Sequence, residues 1–139
     1  MQTPTEAIIV EDRAPALAHY PHARRVGNLV FVSGISCRRP DNSWEGVTRR
    51  EDGSVELDMR VQTRAVIENI RHILRAAGLD LSNVVDVTTY LVNMRDYAAY
   101  NEVYNEYFEA QTGPSRTTVA VAQLPNPNLL IEIKAVAAV

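Results

Sequence analysis

The sequence predicts a single α+β domain, residues 1–139, in which a mixed β-sheet carries two helices on one face in the order β-β-α-β-α-β-β. Three observations lead there. β-Branched and aromatic residues concentrate in short runs at Ala23–Val26, Leu29–Ser33, Val84–Val92, Ser115–Ala122 and Leu129–Val136. Apolar residues recur at helical spacing in two segments, Asp58–Ala77 and Asn93–Phe108. No internal repeat and no Pro/Gly/Ser-rich linker divides the 139 residues, a length that one core can serve.

The elements follow in order. Gly27-Asn28 separates the first two runs, and both residues tolerate the positive φ of a tight hairpin turn. Cys37–Gly53 is polar and reads as a loop or loose hairpin, with the charges of Arg49-Arg50-Glu51-Asp52 as a solvated tip. Val66, Ile70, Ile73, Leu74 and Ala77 share one face of a first helix, which Gly78 stops in a left-handed conformation. Val84–Val92 reads as a buried strand. Asn93 and Asp96 supply an N-cap and a third-position acid for a second helix, whose face carries Tyr97, Tyr100, Tyr104, Tyr107 and Phe108. An aromatic stripe of this kind is usually core. Leu124-Pro125-Asn126-Pro127-Asn128 turns the chain between the last two strands. No third helix is available for the sheet's other face, which leaves a neighbouring subunit as its cover.

Composition narrows the function. Net charge is −3 and the basic residues are scattered, so neither nucleic acid nor an anionic membrane is an expected partner. Met1–Ala14 holds Glu6, Glu11 and Asp12 without an apolar stretch, and reads as neither a signal nor a transit peptide. One cysteine, Cys37, fits a reducing cytoplasm. It neighbours Arg38-Arg39 but has no evident histidine partner, so it reads as a bystander. His19, His22 and His72 offer no metal-ligand spacing, and no glycine-rich phosphate loop suggests a nucleotide; neither metal nor cofactor is expected.

Three places carry chemistry. Alternation along Ser115–Ala122 puts Arg116 and Thr118 on one face and Thr117, Val119 and Val121 on the other. The valine face reads as core and Arg116 as lying on the open face. A guanidinium held on rigid backbone there either grips a carboxylate in a two-pronged pair or forms a structural ion pair, and pattern alone favours the structural role. Glu132, between Ile131 and Ile133, is either half-desolvated and able to pass protons or bridged to Lys134. Ser33-Gly34 ends an apolar strand, where a ligand can approach the backbone closely or the chain simply bends.

Gly113-Pro114-Ser115-Arg116-Thr117-Thr118-Val119, Gln123-Leu124-Pro125 and Ile131-Glu132-Ile133-Lys134-Ala135-Val136 together resemble the C-terminal signature of the reactive-intermediate deaminase (Rid, or YjgF-like) family. Tyr20, Gly27-Asn28, Val32-Ser33-Gly34 and the segment from Asn101 to Phe108 extend the resemblance over nearly the whole chain. It implies a chorismate-mutase-like subunit in a homotrimer, with pockets between subunits; pairing of trimers into hexamers is left open. It also implies roles: Arg116 for the substrate carboxylate, Glu132 for the hydrolytic water, and Tyr20, Ser33, Gly34, Asn101 and Thr118 along the pocket. Many members have cysteine where this chain has Thr118, so only a backbone role carries over there.

The run from Ser36 through Cys37, Arg38, Arg39, Pro40 and Asp41 to Asn42, the run from Val85 to Met94, and the run from Leu124 to Lys134 resemble the family's subgroup acting on 2-aminomuconate, a dicarboxylate. A second carboxylate calls for a second cation, and Arg38 or Arg39 is the charge available near the pocket strand. The alternatives are a broad-specificity deaminase of 2-iminobutanoate and 2-iminopropanoate, and a non-catalytic trimeric module that binds small carboxylates.

Overall fold

The computed structural model describes residues 3–139; the first two residues of the segment read as lacking a signal lie outside it. Its main sheet has six strands: β1 (Thr5–Ile8), β2 (Ala23–Val26), β3 (Leu29–Ile35), β6 (Val84–Leu91), β7 (Ser115–Ala120) and β8 (Ile131–Ala138). They lie side by side in the order β1-β2-β3-β8-β6-β7. All neighbours are antiparallel except β6 and β7, so the sheet is mixed, as expected. Two short strands, β4 (Val47–Arg49) and β5 (Val55–Leu57), form a separate hairpin that starts in the predicted polar loop and ends beyond it, with Arg50–Gly53 at its exposed tip. The order thus gains β1 and this hairpin. β1 is a mostly exposed four-residue edge strand, TEAI, whose composition carries no strand signal.

The two helices are α1 (Met59–Ala76) and α2 (Tyr97–Tyr107). Asp58 caps α1 by accepting from the Val61 amide at 3.0 Å. At its far end Gly78 sits at φ +79°, which lets Gly78 N–H reach the Arg75 carbonyl and Leu79 N–H reach Leu74. The buried stripe Val66, Ile67, Ile70, Ile73 and Leu74 packs with Val30, Val32, Ile131, Ile133 and Ala135 of β3 and β8, giving one core on one face of the sheet. Between β2 and β3 only Gly27 takes a positive φ, +57°. Asn93 caps a single 3-10 turn, Met94–Asp96, rather than α2 itself: its side chain accepts from Arg95 N–H, and Asp96 makes no capping bond to α2. β6 is buried at alternate positions from Val87 to Leu91, because the sheet face away from the helices has no cover among the described residues. Phe31 is 38% and Val119 39% exposed there.

Gln62 of α1 is fully buried, and its amide donates to Asn128 O and accepts from Leu130 N–H, each at 2.9 Å. This clamp holds the loop after β7 against the helix. Gln62→Leu leaves two backbone groups unpaired and is expected to cost about 2–4 kcal/mol, read as a lower urea midpoint at unchanged slope. Among the described residues no helix is long and apolar enough to cross a membrane.

Candidate active site

The loop 13–22, the end of β3, α1 and the loop 124–130 enclose a cavity of about 320 Å³, at the small end of the range for ligand sites. Of the residues expected at the site, Tyr20, Ser33, Gly34, Arg38 and Glu132 line it. The register of β3 against β8 breaks between Val32 and Ile35, which brings Gly34 onto Glu132. His22 holds the loop 10–22 in place: its Nδ1 accepts from Val10 N–H at 3.0 Å, which leaves Nε2 to donate to Ala14 O at 2.9 Å. The Ser33 hydroxyl donates to Pro21 O and its amide to His22 O, closing the loop onto the strand. His22, considered above only as a metal ligand, acts instead through contacts with backbone eight and twelve residues away, which no local pattern marks. Among the described residues no cluster of three or more His, Cys, Asp or Glu could hold a metal ion. Cys37 is fully buried, and burial pushes its thiol up to about 12, which makes it unreactive.

Glu132 makes no hydrogen bond or ion pair among the described residues. Lys134, the alternative partner, donates instead to Val32 O at 3.1 Å. Burial alone raises the Glu132 carboxyl above the ordinary carboxylate range, toward the proton affinity that acid–base work requires. A Cβ on Gly34 would stand 2.6 Å from Glu132 Oε2. Because that atom ends a flexible side chain, Gly34→Ala is expected to displace the carboxylate without unfolding the protein. Activity should fall about 10²-fold, with little change in melting temperature.

Arg116 and Thr118 stand elsewhere. β7 pairs in parallel with β6, Arg116 beside Val87 and Thr118 beside Thr89. Val87 and Thr89 are buried on the helix side of the sheet, so Arg116 projects under α2 and not onto the open face. The faces predicted for this strand are therefore exchanged. Alternation separates two faces without saying which a helix covers, and it is Val119 that faces outward. The Arg116 guanidinium lies over the rings of Tyr97, Tyr100 and Tyr104 at 5.6, 5.0 and 4.7 Å, and Nη2 donates to the Tyr97 hydroxyl at 2.9 Å. No carboxylate pairs with it among the described residues, so the structural ion pair is absent. The tyrosine stripe is both core and the cradle of this cation. Burial raises the Tyr100 and Tyr104 phenols and keeps them neutral; for Tyr100 the bond to Thr89, at 2.6 Å, acts in the opposite direction. Thr118 Oγ1 and Asn101 Oδ1 are buried without a hydrogen-bond partner.

The two halves do not meet within one chain. Tyr90 of β6 lies between Glu132 on one side and Val119 on the other, so the Glu132 and Arg116 strands are two spacings, about 10 Å, apart. Ile131 and Ile133 are buried under the helices, so alternation turns Glu132 to the opposite face from Arg116. Arg39 is also apart: it pairs with Glu45 at 2.8 Å and lines an outer groove rather than the cavity.

A mixed sheet under two helices, with an unpaired strand arginine on one face and a desolvated strand carboxylate on the other, defines a class of small α+β domains. The chain belongs to the endoribonuclease L-PSP family, whose model matches residues 11–139. A RutC family protein of Pyrococcus horikoshii is 40% identical over 132 residues, 95% of this chain and 96% of the relative. Among solved structures, yeast YEO7 is similar with a TM-score of 0.84 and 35% identity, over 97% of this chain and 98% of the other. Escherichia coli TdcF, which its name assigns provisionally to the reactive intermediate deaminases, is 33% identical over 133 residues, 94% of this chain and 95% of TdcF. Its structure, solved with bound serine, matches with a TM-score of 0.78 and 29% identity over 96% of this chain and 98% of that one.

Proposed function

We propose that the protein is a deaminase of small unsaturated amino acids whose site is completed between two copies of the chain in a homotrimer, and that 2-aminomuconate is its substrate. The observation that carries this reading is the placement of two uncompensated groups, the Arg116 cation and the Glu132 carboxylate, on opposite faces of one sheet. Neither finds an oppositely charged partner among the described residues. The uncovered face bearing Phe31 and Val119 favours a neighbour that brings one subunit's Arg116 to another's Glu132. The serine bound in the TdcF structure is a small amino acid, in keeping with a carboxylate on the arginine.

The chemistry balances without a cofactor. The enamine carboxylate pairs with Arg116, the conjugated enamine gains a proton at C5 as its nitrogen releases one and becomes the imine, and water adds at C2 with its first proton passing to nitrogen. Glu132 receives a proton from that water and delivers one to nitrogen as the C2–N bond breaks. The products are ammonia and 2-oxo-3-hexenedioate (4-oxalocrotonate). Thr118, on the same strand face as Arg116, and Asn101 of α2 carry buried oxygens with no partner among the described residues and serve as further substrate contacts. The unpaired Cys37 thiol fits a cytoplasmic site of action.

A broader deaminase of 2-iminopropanoate-type substrates is the second reading, favoured by the similarity to TdcF. Ammonia release from enzymatically generated 2-aminomuconate, set beside release from 2-iminopropanoate, tests the two. Turnover of 2-aminomuconate with at least a tenfold higher kcat/KM is the expected result; an equal or lower value favours the broader enzyme, and no release from either substrate removes both.

A further inference from the structure

We infer that the cavity contains a distal carboxylate subsite built by Arg13 and Arg38 around Asn69, which makes dicarboxylates the ligand class; this deepens the deaminase reading and rests on it for the near carboxylate. Arg13 and Arg38 line the cavity, and neither forms an ion pair among the described residues. Arg13 donates to Asp12 O and, at 3.4 Å, to Asn69 Oδ1; Arg38 donates to Asn42 Oδ1 at 2.6 Å and to Pro15 O. These acceptors are neutral, and each guanidinium keeps more than half of its five N–H donors for another partner.

Their surroundings contrast with those of the other arginines. Arg39, Arg50, Arg60, Arg64, Arg71 and Arg75 are each neutralised by a carboxylate. Arg24, Arg25, Arg49, Arg95 and Arg116 lack one but lie outside the cavity, on β2, at the end of β4, in the turn before α2 and on β7. Asn69 fixes the frame of the pair: its Nδ2 donates to Ser36 O at 3.0 Å and to Arg38 O at 3.4 Å while its Oδ1 faces Arg13. Arg13, Arg38 and Asn69 also border the outer groove beside α1, whereas Glu132, Ser33 and Gly34 do not. The two cations therefore mark the end of the cavity away from the catalytic carboxylate. Apolar side chains such as Leu17 and Leu129 line the cavity as well, and suit a hydrocarbon chain between two charged ends.

The test is binding of two unreactive six-carbon probes, adipate and hexanoate, measured by calorimetry on the assembled protein. Wild type is expected to prefer adipate at least tenfold, the scale of one charge-assisted pair. Arg13→Met and Arg38→Met are each expected to erase most of that preference. No preference in wild type, or a wild-type preference retained in either variant, overturns the subsite. Turnover separates this proposal from the functional one. Preference for adipate without ammonia release from 2-aminomuconate or 2-iminopropanoate removes the deaminase and leaves the subsite; release without preference does the reverse.

Discussion

Arg116→Met is expected to lower kcat/KM for deamination by about 30- to 5000-fold, the cost of removing one partner from a desolvated charge pair, about 2–5 kcal/mol. The loss should fall largely on KM, since the guanidinium pairs with a carboxylate present in both ground and transition states. Stability should change little in comparison. The side chain makes one hydrogen bond, to Tyr97, and its cation–π contacts with three tyrosines are replaced in part by the contacts of a thioether. Arg116→Lys keeps the charge and loses the two-pronged geometry, so its activity should fall between the two. Unchanged ammonia release from Arg116→Met would remove the carboxylate anchor.

Glu132→Gln is expected to act on kcat, with a fall of about 10²–10⁴-fold, the usual contribution of a positioned acid–base group. It should also change how stability depends on pH. The folded carboxyl is raised above its unfolded value of 4.5, so the folded chain holds a proton that the unfolded chain has released. Stability of the wild type therefore includes a contribution that declines as pH rises from about the unfolded value through the raised one. Glutamine does not ionise and should flatten that decline. Chemical denaturation at a series of pH values checks the sign: a variant that loses stability more steeply than wild type over this window would show that Glu132 is not desolvated.

The residues of the site were legible in the sequence to different depths. α1 was readable to within a residue or two because its stripe, its Asp58 cap and its Gly78 stop are all local signals. Arg116 was readable as a residue and not as a position. Whether it faced core or solvent depended on β7 pairing with β6, a partner 29 residues away in register. Arg38 and Arg39 were interchangeable in sequence, yet neighbours in an extended segment point in different directions, and only Arg38 turns to the cavity. Arg13 lies in an irregular loop with no periodicity to read, and gains meaning only from Asn69, 56 residues on. The opposition of Glu132 and Arg116 across the sheet was invisible for the same reason: strand order is a long-range property.

The shared site makes the most direct demand. Arg116→Ala and Glu132→Gln should each be impaired at least about 30-fold alone, but in trimers assembled from an equal mixture some interfaces pair an intact arginine with an intact glutamate. Activity of the mixture is expected to recover to about one quarter of wild type, the random share of such interfaces. A mixed assembly no more active than its parents would contradict a site built from two chains.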